Sequence, residues 1–496
     1  MKSGIVAHKY ELAGEYLVQI QFPSSRRHHP YILAKYSHQE KSHCEGGVMK
    51  NSHFSRAGFI LAASGSAVGL GNIWKFPYMA GQYGGGAFVL VYLFTILCVG
   101  FSLLVAEILI GYSGGKDAVS NFEELAPKKE VGWKYAGFMG ATGILIMAFY
   151  SVVIGWILYY VTRSVTWLPA TMEAAQQGFG DLVGKQALTQ IVFHLIATLF
   201  IMSILLKGIK SGIEKTNEIL MPALFLIVLG LLLYAMTLDG FKDSLRFFFV
   251  FEISKLSSEA ITQAVGHSFF TLSIGMAAIL TYAASLPKHT NIVKAAFWIV
   301  LLDTSIALMA GLMMYAFIFE FKQDPTAGPG LVFISLPVVF SQIGTLGTIF
   351  AVLFFLALAF AGITSAISIV EPTIEYTMSR FDWTRLKSTL IASAIFFITG
   401  VFALLSYTAD YGELFTFWGM PLFDVLDKLT TNVLLPLGGL AVAIFVGFIV
   451  PKERVFAAMS EFVSKGIIEI WYFNVRFIAV PALVFTMLNL VGIIKI

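Results

Sequence analysis

The chain is 496 residues long, 57% hydrophobic and 15% aromatic with only 13% charged residues, a composition that soluble domains do not have. A basic count of 33 against 30 acids leaves a net charge of +3, which marks no nucleic-acid partner. Cys44 and Cys98 are the two cysteines, and without metal-type spacing they provide neither a zinc site nor a disulfide framework.

Residues 1–52 are rich in His, Lys, Arg, Gln and Ser and lack the apolar core of a signal peptide, so they read as a polar leader that is neither cleaved nor inserted. Glu45-Gly46-Gly47-Val48 directly precedes Met49. Codons for Glu-Gly-Gly can spell a purine-rich ribosome-binding site, which makes Met49 the expected start. The alternative use of the leader is a basic arm, with Arg26, Arg27, Lys35 and Lys41 touching anionic lipid. Beyond it, apolar runs of spanning length occur at about 57–80, 86–112, 134–162, 188–206, 216–237, 261–286, 293–320, 345–378, 388–407, 429–450 and 472–494, which predicts an all-α polytopic membrane protein of eleven spans.

With a cytosolic N-terminus, the inward loops carry Lys116, Lys128, Lys129, Lys207, Lys210, Lys215, Lys288, Lys294, Arg380, Arg385, Lys387, Lys452, Arg454 and Lys465. The outward loops are richer in acids: Asp239, Asp243, Glu252, Asp324, Asp410, Glu413, Asp424 and Asp427. The positive-inside bias selects this orientation in the inner membrane and leaves Ile496 outside.

Two spans are interrupted by glycine and hydroxyl residues at mid-membrane depth. The first contains Ser64-Gly65-Ser66-Ala67-Val68-Gly69-Leu70-Gly71-Asn72, the sixth Ser268-Phe269-Phe270-Thr271-Leu272-Ser273-Ile274-Gly275-Met276. Unwound backbone survives in hydrocarbon only where protein or a polar cavity satisfies it. Its free carbonyls suit cations, and the half-helix N-termini suit anions. Breaks five spans apart predict a five-plus-five inverted repeat with a midplane site: repeat one at about 56–237, repeat two at about 260–450, and an extra span at about 472–494. Small residues for close helix packing are the other reading of such glycines.

Gly69-Leu70-Gly71-Asn72-Ile73-Trp74-Lys75-Phe76-Pro77, Gly84-Gly85-Gly86-Ala87-Phe88 and Phe269-Phe270-Thr271-Leu272-Ser273 resemble the signature of neurotransmitter:sodium symporters, in the eleven-span bacterial amino-acid branch. The resemblance implies two sodium sites. Site one would use Ala67, Asn72, Thr271 and a seventh-span residue, here Asp303, completed by the substrate carboxylate; hard oxygen ligands suit sodium. Leucine-transporting bacterial relatives have an amide there and a glutamate one turn on, which matches Ala307, and animal relatives use chloride. An ionised Asp303 would replace both and make chloride unnecessary, whereas a protonated, hydrogen-bonded Asp303 would be structural. Site two would use Gly65, Val68, Ala361, Thr364 and Ser365, whose hydroxyls could otherwise bond back to the preceding turn.

The resemblance also places substrate contacts at Ala67, Gly69, Leu70, Gly71, Ile146, Tyr150, Phe270, Thr271, Ser273, Met276, Ser365 and Ile369. Amine transporters of the family carry aspartate at position 69. Glycine there leaves room for a substrate that brings its own carboxylate, and the uncharged pocket implies a neutral, hydrophobic amino acid. Lys75 and Asp427 match the outer gate, with lysine lacking the fork of the usual arginine. Glu107 matches a supporting carboxylate, and Gly212 and Pro222 match an unwinding element in the fifth span. Lys50 matches an inner-gate arginine whose usual acidic partner is Ser379 here, with Asp382 nearby. His267 stands where chloride-binding relatives have glutamine. No phosphate-binding loop occurs, so ATP is not the expected energy source. Two rivals to sodium-coupled amino-acid import stay open: a sodium-dependent sensor or leaky channel on the same fold, and an intramembrane enzyme using Glu107 and Asp303 as an acid pair.

Overall fold

The computed structural model describes residues 6–12, 15–21, 34–36 and 53–494, apart from 128–131, 253, 255, 324–327, 329 and 491. Lys50, Lys128, Lys129 and Asp324 lie outside the described residues, as do Arg26, Arg27, Lys41 and the Glu45–Met49 start signal. The chain divides into two units, Met1–Ser52 and His53–Ile496.

The first unit corresponds to the polar leader. It holds a three-stranded antiparallel sheet of β1 (Val6–Leu12), β2 (Glu15–Gln21) and β3 (Ala34–Tyr36) in that order, with Val6 paired to Gln21 and Leu12 to Glu15. The period-two pattern of Tyr16, Val18 and Ile20, and only Ala13-Gly14 between the first two strands, are hairpin signals that a search for long apolar runs passes over.

The second unit is helical. Among its described residues nine helices are long and apolar enough to span a membrane, and the bent pair Arg56–Ala67 and Gly71–Gln82, at 47°, makes a tenth. Numbered by the predicted spans, that pair is span 1, followed by span 2 (Gly86–Gly114), span 3 (Trp133–Thr166), span 4 (Ala187–Leu205), span 5 (Ile209–Ala235), span 7 (Ile292–Glu320), span 8 (Thr345–Phe381), span 9 (Arg385–Leu405), span 10 (Leu422–Ile449) and span 11 (Lys465–Leu490). The predicted span 6 is divided into Ser258–Thr271 and Ala278–Ala284, of 14 and 7 residues, neither long enough alone. Large apolar side chains such as Leu188, Phe94 and Leu226 are exposed, which is the surface a bilayer covers. Helices Met172–Lys185, Gly240–Phe249 and Leu331–Gln342 pack between the spans.

Both breaks have local causes. Ser55 caps the first half of span 1, its side chain accepting the Gly58 N–H, and the helix ends at Val68, whose φ of −74° and ψ of 90° are extended. A Cβ on Gly69 would lie 2.6 Å from Ser365 Oγ and 3.0 Å from Tyr150 Oη, so glycine permits the close approach. In span 6, Ser273, Gly275 and Ala277 have φ of 54°, 86° and 60°. Left-handed backbone at Ser273 and Ala277 costs on the order of 1 kcal/mol each. Ser273 is held there by its Oγ, which donates to the Ser66 carbonyl at 2.8 Å. Glu107 Oε1 accepts the free Gly275 N–H at 2.9 Å.

Candidate functional site

Where the two breaks meet, a cavity of about 320 Å³ is lined by Ala67, Gly69, Leu70, Gly71, Ile146, Tyr150, Phe270, Thr271, Ser273, Met276, Ser365 and Ile369, together with Ser66. No charged side chain lines it. Ser66, which the sequence reading passed over, ties three elements together: its carbonyl accepts from Ser273 Oγ at 2.8 Å and Ser365 Oγ at 3.2 Å, and its Oγ accepts from Ser368 at 2.7 Å. Its signal was the Ser64-Gly65-Ser66 run. Leu70 N donates to Tyr150 Oη at 3.3 Å, so span 3 meets the broken end of span 1.

Beside the cavity Asp303 is fully buried. Its Oδ1 accepts from Asn72 Nδ2 at 2.7 Å and Thr271 Oγ1 at 2.9 Å, and Tyr92 Oη donates to its Oδ2 at 3.4 Å. Asn72 Oδ1 accepts the Gly69 N–H at 3.0 Å. Three of the predicted site-one residues therefore meet at one carboxylate, beside Ala67, the last residue of the helix. Among the described residues no cation forms an ion pair with Asp303. A buried carboxylate with oxygen-rich neighbours and no basic partner fits a cation such as sodium. Tyr92 was not singled out, because one tyrosine in an apolar span carries no signal. Ala307, one turn along span 7, is buried and offers no side-chain ligand. His267 stacks on Phe76 at 6.0 Å and lies 5.4 Å from Tyr92, with neither ring nitrogen hydrogen-bonded.

The predicted site-two residues lie where span 1 crosses span 8. Ser365 Oγ donates to the Gly65 carbonyl at 3.1 Å. Thr364 Oγ1 bonds back within its own helix, to Phe360 O at 2.9 Å and Ala361 O at 3.1 Å, while Val68 caps the facing helix end. A Cβ on Gly65 would lie 3.1 Å from Thr364 Cβ and 2.0 Å from Asn217 Oδ1. Asn217 is fully buried, and its Oδ1 lacks a partner. In sequence it looks like a polar residue at the start of an apolar run.

Lys75 and Asp427 line a second cavity of about 780 Å³, directly over the first, with Trp74, Tyr78, Tyr407, Phe423 and Asp424 among its walls. They form no ion pair; Lys75 Nζ lies 4.5 Å from the Phe270 ring centroid. Leu70, Gly71, Tyr150 and Phe270 belong to both cavities and form the partition.

The opposite end is closed. Arg385 Nη2 donates to both Glu371 oxygens at 2.9 and 2.7 Å, and its Nε to Leu205 O at 2.7 Å. Phe54 is buried 5.2 Å from the Tyr282 ring. Ser55 N donates to Glu214 Oε1 at 3.1 Å, and Arg56 Nη2 to His289 O at 3.1 Å. Ser379 Oγ donates to Asp117 Oδ2 at 2.6 Å, and Asp382 ends span 8 in a left-handed conformation at φ 52°. Gly212 lies in a π-turn, Ile209–Glu214, where a Cβ would sit 2.2 Å from Ile204 O, and Pro222 stands inside the following helix.

Residues 50–178 and 176–496 match the model of the Sodium:neurotransmitter symporter family. The chain belongs to this family. It is 36% identical over 450 residues to the uncharacterized sodium-dependent transporter YhdH of Bacillus subtilis, covering 89% of this chain and 98% of that protein. A Haemophilus influenzae sodium-dependent transporter is 31% identical over 87% of this chain and 95% of its own length. The crystal structure of MhsT in complex with L-phenylalanine matches with a TM-score of 0.81 at 37% identity, covering 89% of this chain and all of that one. The protein is thus a membrane-embedded, sodium-dependent transporter with the inverted-repeat fold. The enzyme reading falls away, and Glu107 is bonded to Gly275 rather than to Asp303.

Proposed function

We propose that the protein imports a neutral, hydrophobic L-amino acid together with two sodium ions by alternating access, without chloride. The observation that carries this reading is the uncharged cavity at the breaks with the Asp303 cluster beside it. A glycine at 69 pressed against Ser365 and Tyr150 leaves no room for the aspartate an amine would need. The ammonium group would rest on carbonyls freed at the breaks, the carboxylate on Leu70, Gly71, Tyr150 and the first sodium. The side chain would lie among Ile146, Phe270, Met276 and Ile369. That MhsT was solved with L-phenylalanine supports the substrate class.

In this mechanism Asp303, Asn72, Thr271 and Ala67 hold the first sodium ion next to the substrate, so that each raises the other's affinity. The second ion would sit among Gly65, Val68, Ala361, Thr364 and Ser365, clamping the first half of span 1 to span 8. Its departure would let span 1 swing away from the closed end, with the π-turn at Gly212 and the helix interruption at Pro222 yielding in span 5. We assign the inner membrane, with Lys75 and Asp427 facing outside, the N-terminus cytosolic and the C-terminus external.

Proteoliposomes test the reading. Uptake of labelled tryptophan or phenylalanine should require sodium and grow with an inside-negative potential, each net charge adding roughly 2.3 kcal/mol per 100 mV. Uptake unchanged in choline would refute it, and equal affinity for tryptophan and tryptamine would remove the carboxylate argument. A sensor would bind without transporting, and a leak would equilibrate substrate without concentrating it or supporting counterflow exchange.

A further inference from the structure

Arg476 lies inside span 11 (Lys465–Leu490), and among the described residues no acid comes within ion-pair distance of it. Its Nε is buried without a hydrogen-bond partner. The guanidinium is 4.6 Å from the Phe448 ring, 5.4 Å from Tyr472 and 5.3 Å from Phe477. Gly447 admits its stem: a Cβ there would be 3.0 Å from Arg476 Cγ. Phe448 comes three residues before Pro451, where span 10 has ended, so Arg476 packs roughly one helical turn, about 5 Å, from the end of span 10.

At that boundary Lys452 Nζ lies 4.9 Å from the Phe456 ring and 5.8 Å from Tyr472. Two cations therefore converge on the Tyr472 ring, whose hydroxyl is anchored on Gly447 O at 2.9 Å. Two of the neighbouring acids are engaged elsewhere, Glu469 at 4.0 Å from Lys465 and Glu461 at 2.6 Å from His289, and Glu453, next to Lys452, is exposed. Phe473 and Phe477 beside the cleft are more than half exposed, so the cleft opens to the bilayer.

An unneutralised guanidinium at this depth is costly, and a second cation on the same ring adds repulsion. Both costs fall if an anion lies between the two. We propose that the cleft between spans 10 and 11 binds the phosphate of an anionic lipid, in the leaflet on the side of residues 451–464. Arginine's fork would take two phosphate oxygens while its face stays on the rings, and Lys452 would add charge from the headgroup side. The acyl chains would lie along Phe473 and Phe477. The site is remote from the substrate cavity and does not depend on which substrate is carried.

Native mass spectrometry of the purified full-length protein with phosphatidylglycerol or phosphatidylethanolamine tests this. Wild-type protein should retain phosphatidylglycerol preferentially. Arg476→Gln and Lys452→Gln should each weaken its retention about fivefold and leave phosphatidylethanolamine unchanged. Arg476→Lys, which keeps the charge but loses the fork, should retain only part of the preference, and Lys465→Gln, at the exposed start of the same span, all of it. If Arg476→Gln fails to fold, Lys452→Gln at the exposed surface carries the test. Wild-type retention of phosphatidylglycerol in both glutamine variants would overturn the proposal. So would equal loss of both lipids, which makes the cleft a packing surface, or loss of a dimer without loss of lipid, which makes a second copy the occupant. Inorganic phosphate displacing the lipid from wild-type protein at millimolar concentration would overturn the lipid as its source.

Discussion

At one end of the substrate cavity Lys75 and Asp427 face a vestibule of about 780 Å³ without touching. At the other, Arg385 grips a fully buried Glu371 through two hydrogen bonds and spends its Nε on a carbonyl of span 4. Charges in a wet vestibule are easily rearranged, and exposed pairs are worth about 0–1 kcal/mol. A buried pair is different, since removing one partner costs about 3–5 kcal/mol by stranding the other charge. Under the proposed function, closing the vestibule would therefore need little more than substrate contact with Phe270 and its neighbours. Opening the opposite end needs a large local free energy, which the departure of an ion that clamps span 1 to span 8 would help to supply. Under the proposed orientation, the molecule is seen open to the outside and sealed to the cytosol.

Breaking the sealed end should have the largest effect. Glu371→Gln leaves the Arg385 guanidinium, 19% exposed, with Glu375 at 3.5 Å as its remaining carboxylate. By the buried-pair figure of about 3–5 kcal/mol, the seal should fail and concentrative uptake should be lost. In a background without Cys44 and Cys98, a Ser368→Cys reporter should react with a membrane-impermeant thiol reagent from that side at least roughly tenfold faster. Unchanged reactivity and unchanged uptake would show that the pair does not close the path.

Asp303→Asn comes next. The amide keeps the shape of the cluster but removes the charge that Asn72, Thr271 and Tyr92 surround. Sodium-dependent substrate binding should weaken by roughly thirtyfold or more, the low end of the about 2–5 kcal/mol cost of removing one member of a buried charge pair. A scintillation-proximity titration with sodium measures it, and an unchanged sodium midpoint would make Asp303 a structural residue.

The contrast between the two ends also marks what the sequence made legible. The glycine and hydroxyl run Ser64–Asn72 and its counterpart Ser268–Met276, five spans on, announced the breaks because close helix packing would account for one such run more easily than for two, and Asp303 stood out as an acid inside an apolar run. The Glu371–Arg385 seal was invisible. Arg385 was counted among loop cations that orient the chain, and Glu371 lies beside Pro372 near the polar end of a long run, so nothing local says that the two meet across the turn between spans 8 and 9. Asn217 and Arg476 were missed for a related reason: a single polar residue near the end of a span looks solvated until packing shows what surrounds it. The helix of span 11 begins at Lys465 rather than near 472, because its first turns carry Lys465 and Glu469 on an exposed face that an apolar-run criterion cuts off.

Sharpening the open end is a smaller perturbation. Lys75→Arg supplies the planar fork that reaches a carboxylate with two hydrogen bonds. If Asp427 is its partner when the vestibule closes, substrate dissociation should slow about two- to threefold, as expected for a partly exposed pair. Filter-binding chase of labelled substrate measures the rate, and in an Asp427→Asn background the same substitution should have no effect. An equal slowing in both backgrounds would assign the gate to another acid of the vestibule, with Asp424 the candidate.

The smallest expected effect is none at all. Under the proposed function an ionised Asp303 would supply the negative charge at the first cation site, and a chloride ion there would meet like charge instead of an open cationic centre. The surroundings agree with this. Ala307, one turn along span 7, has no hydroxyl to donate, and His267, where the resemblance implies the chloride-binding glutamine of relatives, is packed against Phe76 and Tyr92 with both nitrogens unbonded. Uptake should therefore be unchanged when gluconate replaces chloride at constant sodium. In Asp303→Asn the charge count is one negative short, and adding Ala307→Ser supplies a donor for an anion, so residual uptake in that double variant should rise when chloride is restored. Wild-type uptake that fell in gluconate would mean that Asp303 does not neutralise the first sodium. A double variant indifferent to chloride, with the wild type also indifferent, would locate the missing charge on the substrate carboxylate alone.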